Sequence, residues 1–197
     1  IRAGAKVNVK NEYGSTPMSE AAVLGRVDLL ETLLKAGADV ESPNADGQTA
    51  LMVVARTSQV EAARLLIKYG AKVNVVEQWR GQTALMWAAA EGHDAAVEAL
   101  IQGKADVHAR SGGGSTPLLF AARNGDLSSA RLLIAAGANV NDTTPGGATP
   151  LVIAAFSGQS ELAQQLLDAG ANPNAADAGY AALHLTILRG DLPLTKK

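Results

Sequence analysis

Three histidines, His93, His108 and His184, are the first side chains to weigh as metal ligands. His93 falls at the start of an expected helix, His108 in a loop, and His184 far along the chain. No two share a helix at metal-ligand spacing, so no zinc site is expected. The chain has no cysteine, which excludes disulfides, thiolate metal sites and cysteine nucleophiles. The run Ser111-Gly112-Gly113-Gly114-Ser115-Thr116 has the glycines of a phosphate cradle. It lacks the lysine of a P-loop, and Pro117 stands where a dinucleotide fingerprint needs its third glycine. Asp39 and Asp106 recur at one sequence position, which suits loop bonding. A catalytic pair would be singular, in a setting that shifts its pKa. No serine recurs beside a placed base. Asn141-Asp142-Thr143 is a glycosylation sequon whose asparagine falls in a recurring Val-Asn slot, so the match reads as accidental. These residues predict no enzyme, no cofactor and no metal.

The remaining composition is plain. Lys and Arg number 17 and Asp and Glu 19, for a formal net charge of −2. That balance gives no global attraction to nucleic acid or to acidic membranes. Hydrophobic residues are 47% but aromatics only 4%, so the core must be built from small and aliphatic side chains. No apolar run is long enough to span a bilayer, and no membrane insertion is expected. The absence of cysteine does not fix a compartment. The chain opens on Ile1 and not on Met, and a natural N-terminus upstream is expected.

The elements follow from a repeat. Thr16, Thr49, Thr83, Thr116, Thr149 and Ala181 each lie two residues after a glycine, at steps of 33, 34, 33, 33 and 32. Gly4, Gly37, Gly70, Lys104, Gly137 and Gly170 keep the same period, at steps of 33, 33, 34, 33 and 33. Two markers holding one period along the chain identify a repeat architecture. Within a unit, Thr16-Pro17 opens a helix, because proline loses no hydrogen bond in a first turn. A short run from Met18 to Leu24 ends at Gly25. A second helix is predicted over about Val27 to Ala36, with Leu29, Leu30, Leu33 and Leu34 at helical spacing. Gly37 supplies a left-handed cap. Two helices this short are unstable alone in water, and stacked copies share a core.

Thr-Pro-Met-Ser at 16–19, Thr-Pro-Leu-Leu at 116–119, Ala-Ala-Leu-His at 181–184 and the Gly-Ala-Asp/Asn-Val segments resemble the ankyrin repeat. The stretch from Met86 to His93 resembles bacterial arrays of that family more than vertebrate ones. The resemblance implies an all-α solenoid of stacked helix-turn-helix units joined by β-hairpin-like loops. It also implies a concave face formed by loop tips and first helices. One ankyrin-repeat domain over 1–197 is expected. Its repeats are placed at 14–46, 47–80, 81–113, 114–146 and 147–178, with partial units at 1–13 and 179–197. The ragged ends suggest a fragment of a longer array.

The chain departs from the family pattern in places. The motif histidine survives only as His184, with Ser19, Met52, Met86, Leu119 and Val152 elsewhere in its place. Ser58 replaces an interhelix glycine. Lys104 replaces a cap glycine, so either it takes positive φ or Gly103 does. The loop before Gly81 has one residue more than its siblings, and the loop before Gly179 one fewer.

By register, the resemblance places the binding surface on the loop tips and the ends of the first helices. The candidate contacts there are Tyr13, Leu24, Arg56, Trp79 and Arg80, followed by Glu91, Arg110, Arg123, Phe156 and Tyr180. Val23, Asp46, Gln48, Gln82 and Asn124 share these positions. Tyr, Trp and Arg dominate interface hot spots, which favours a protein partner. Trp79 is the strongest candidate, with two readings: a partner contact, or packing against a neighbouring tip. Trp87 and Phe120 read as packing between first helices, with partial exposure on the concave face as the alternative. The alternatives are a regulatory or targeting segment of a larger enzyme, channel or secreted effector, and a structural array that associates end to end. A monomer is the expected state. Nucleic acid is disfavoured, because Glu12, Asp46 and Glu91 interleave with the arginines.

Overall fold

A computed structural model describes residues 4–175 and Gly179. Among them are ten helices: α1 (Pro17–Val23), α2 (Val27–Lys35), α3 (Ala50–Arg56), α4 (Val60–Lys68), α5 (Ala84–Glu91), α6 (Asp94–Gln102), α7 (Pro117–Asn124), α8 (Leu127–Ala135), α9 (Pro150–Ser157) and α10 (Ser160–Asp168). They form five helix-turn-helix pairs, and no β-strand occurs among the described residues.

The first helix of each pair starts where threonine can cap it. The hydroxyls of Thr16, Thr49, Thr83 and Thr149 accept from the N–H three residues on. Those N–H groups belong to the positions that lack the motif histidine. Ser19 completes the cap reciprocally, accepting from the Thr16 N–H at 2.9 Å. In the fourth pair the buried Thr116 hydroxyl is left without a partner. First helices bury most of their residues; every residue of α3 from Ala50 to Ala55 is enclosed. Second helices are amphipathic: Leu30, Leu33 and Leu34 of α2 are buried, while Glu31 and Lys35 pair on its outer face at 2.8 Å. That exposed i,i+4 pair adds little, so packing of the leucines holds the helix.

The chain divides into two compact units. One runs through Ala88 and includes Ala95–Asp106. Here α1 packs on α2 and α3, and α4 on α2 and α3, around Met18, Leu30, Leu51, Met52 and Leu66. The other takes Ala89–Asp94 and the chain from Val107. Its α7 packs on α8 and α9, and α10 on α8 and α9, around Leu118, Leu119, Leu133 and Leu151. The pattern is the same in both.

The interhelix turn shows why glycine recurs. Gly25 has φ 64°, and a Cβ there would sit 2.5 Å from the Gln59 amide of the next pair. Gly125 has φ 75° and lies under Gln159 in the same way. In the orientation that satisfies both ends, the Gln159 amide donates to the Ala122 carbonyl at 2.8 Å and accepts from the Gly125 N–H at 3.2 Å. Lys104 itself takes the left-handed cap, with φ 69°, and Ser58 does so at 58°. Gly103 stays outside that region; its lack of a side chain makes room for Ile67, whose Cδ1 would meet a Cβ at 2.9 Å.

Candidate protein-binding surface

Each pair of helices is preceded by a hairpin-like tip closed by one polar residue. Asn44 donates its N–H to the Gln48 carbonyl and accepts at its own carbonyl from Gly47, at 2.9 and 3.0 Å. Its Oδ1 also accepts from the Asp46 and Gln48 N–H groups. Asn11 closes the first tip identically, onto Tyr13 and Ser15. Ser111 and Thr144 do the same with their hydroxyls, onto Ser115 and Ala148. The glycine run at Ser111–Thr116 is therefore a turn.

The longer tip uses a longer clasp. Its extra residue lies between Glu77 and Gly81. The Glu77 carboxylate accepts from the Trp79, Arg80 and Gln82 N–H groups at 2.6, 2.7 and 3.0 Å. Glu77 is only 3% exposed. Burial pushes its carboxyl pKa up, but the Gln82, Trp79 and Arg80 N–H groups and the Arg80 charge outweigh this, and the net shift is downward. The sequence reasoning missed this residue. The available signal was a glutamate at the position of Asn11, Asn44, Ser111 and Thr144, in the one tip with an added residue.

The clasp holds Trp79 out from the fold. Trp79 is 84% exposed, so it does not pack away against its own chain. Arg80 beside it is exposed. Between this tip and the preceding one is a concavity of about 210 Å³, lined by Asp46, Gln48, Glu77, Trp79, Arg80 and Trp87. Trp87 is half-buried in its wall, with the Arg56 guanidinium 5.4 Å from the ring centroid. Gln82 was expected on this face but is 5% exposed.

The other candidates fall in different settings. Tyr13 is exposed on the first tip, and Val23 and Leu24 are exposed at the end of α1. Glu91 is exposed at the end of α5. Phe156 is 65% exposed at the end of α9. Arg123 is exposed, its guanidinium 5.8 Å from the Phe120 ring. Arg110 is committed within the fold: it pairs with Asp142 at 2.7 Å and donates to the Gly114 and Thr143 carbonyls. Tyr180 lies outside the described residues, as does His184.

Behind the tips, adjacent loops are tied by side chains. The Asn8 amide donates to the Gly37 carbonyl and accepts from the Asp39 N–H. Asn74 does this to Lys104 and Asp106, and Asn141 to Gly170 and Asn172. Glu41 accepts from the Lys72 N–H in the same register. The sequon asparagine is thus a loop tie with both ends of its amide occupied. Asp39 accepts from the Glu41 N–H, the loop-bonding role its recurrence suggested.

Among the described residues, no group of three or more His, Asp or Glu could hold a metal ion. No described helix is long and apolar enough to cross a membrane. A family model described as ankyrin repeats (3 copies) matches residues 21–111 and 104–177. The chain belongs to the ankyrin-repeat family. No curated protein matches it. The repeating helix pairs are accordingly ankyrin repeats, in an all-α fold of the solenoid-like class. Ankyrin repeats serve in general as protein-interaction modules and are typically non-catalytic.

Proposed function

We propose that this chain recognises a protein partner through its loop tips and the exposed ends of its first helices, with Trp79 as the central contact. The observation that carries the reading is the tip itself. A buried, fully bonded carboxylate fixes the backbone, and what it fixes is an exposed tryptophan. Full exposure of a large apolar ring is disfavoured by a few kcal/mol relative to covering it. A rigid tip loses little further entropy on binding. Arg56, Arg80 and Asp46 give the same surface polar handles. Tyr13 and Leu24 extend it apolarly, and Glu91, Arg123 and Phe156 are further candidate contacts. Arg110 serves such contact indirectly, by holding two tips together.

The test is affinity capture from the source organism with the wild-type chain and Trp79→Ala side by side. Proteins held by the wild type should be lost from the variant, with an unchanged melting temperature. Retention of the same proteins by Trp79→Ala removes Trp79 from the surface. A melting temperature lowered with the binding would make Trp79 a structural residue instead.

A further inference from the structure

The concavity beside Trp79 has a chemistry of its own. Of its charged lining, Glu77 is answered by three N–H groups and by Arg80, whose charge it balances in turn. Asp46 is different. Its carboxylate is exposed and enters no hydrogen bond or ion pair, although its own N–H is tied to Asn44. The lining thus offers one carboxylate without a partner beside the Trp79 indole, while the Trp87 face already carries Arg56. An indole face attracts a cation, and Arg56 over Trp87 shows this pairing in the wall of the same site.

We propose that this concavity takes an arginine side chain from the partner protein, its guanidinium stacked on Trp79 and paired with Asp46. The inference rests on the tips being a recognition surface. Arginine fits because its planar fork pairs a carboxylate on two parallel hydrogen bonds and stacks on aromatic rings. A lysine brings a compact, strongly hydrated charge with neither feature. A purely apolar occupant would desolvate Asp46 without a partner, and an acidic one would meet like charge.

The experiment titrates the full chain into fluorescently labelled tetra-arginine, tetra-lysine and tetra-glutamate peptides, read by anisotropy at low salt. Tetra-arginine should bind more tightly than tetra-lysine, and tetra-glutamate should not bind. Trp79→Ala and Asp46→Asn should each weaken tetra-arginine by about fivefold or more. Glu161→Gln, a charge removed from α10, should leave it unchanged. Equal weakening by Glu161→Gln would mean diffuse attraction only and overturn the proposal. So would a tetra-arginine affinity indifferent to Trp79 and Asp46, tighter binding of tetra-glutamate, or no binding at millimolar chain. A tetra-arginine failure with capture still lost in Trp79→Ala sinks this inference alone. If capture survives that variant too, the recognition reading falls with it.

Discussion

The tips of the first unit and those of the second share one skeleton and differ in what they display. Asn11, Asn44, Glu77, Ser111 and Thr144 make the same pair of backbone bonds and a side-chain clasp. In the first unit the clasps present Glu12 and Tyr13, then Ala45 and Asp46, then Gln78, Trp79 and Arg80. In the second they present Gly112 and Gly113, then Pro145 and Gly146. The folding requirement sits in the clasp and the following glycine, and it leaves the tip residues unconstrained. Bulky, amphipathic residues on one set of tips are therefore not explained by stability. On the proposed function, contact is made chiefly by the first unit's tips.

The largest expected effect tests the shared skeleton. Gly25→Ala and Gly125→Ala should each lose roughly 2–4 kcal/mol, from positive φ plus a Cβ driven into Gln59 or Gln159. Urea unfolding measures it. A large loss at one glycine and none at the other would show that the two units are not built alike.

Next is the clasp. Glu77→Gln leaves one oxygen for three N–H donors and should cost about 1–3 kcal/mol, more than Ser111→Ala at the sibling clasp. Because folding lowers the Glu77 pKa, its contribution is complete above the ordinary glutamate value of about 4.3. It is lost as the pH falls through the lower folded value. The wild type and Glu77→Gln should therefore converge in stability in acid. A difference that persisted or widened there would refute the charge-based account.

A smaller gain is expected at Lys104→Gly, about 1 kcal/mol, since φ 69° strains any residue with a Cβ. Thermal unfolding would register it as a rise in melting temperature. A fall would mean that the lysine side chain contributes contacts that exceed the strain. The smallest effect on stability belongs to the display. Trp79→Ala should stay within about 0.5 kcal/mol while weakening partner binding by at least about 1 kcal/mol. Gly113→Ala in the second unit should alter neither. If Gly113→Ala weakened binding as much as Trp79→Ala, the division between the two sets of tips would fail.

Much of this was legible in the chain. The five helix pairs among the described residues follow the 33-residue markers, since glycine and Thr-Pro mark backbone events that composition cannot hide. Helix α2 ends at Lys35, within a residue of its expected end. The left-handed turn at Lys104 was one of two readings, and its φ of 69° is the one the structure adopts. Side-chain commitment was less legible. Arg110 reads as a free arginine in sequence, yet its partners Asp142 and Thr143 lie a whole repeat away. Gln82 reads as surface because the period gives position along the chain and not the direction of a side chain. Glu77 escaped notice because its donors are backbone N–H groups, which no residue letter records.

The clasp also bears on how such a chain can be rewritten. Its side-chain length matches the span it closes: asparagine, serine or threonine for the shorter tips, glutamate for the longer. A tip and its clasp are thus a transferable cassette. Grafting residues 77–82 in place of 44–48 should carry the tryptophan to a new site with its geometry intact, whereas moving the tryptophan without the glutamate should not.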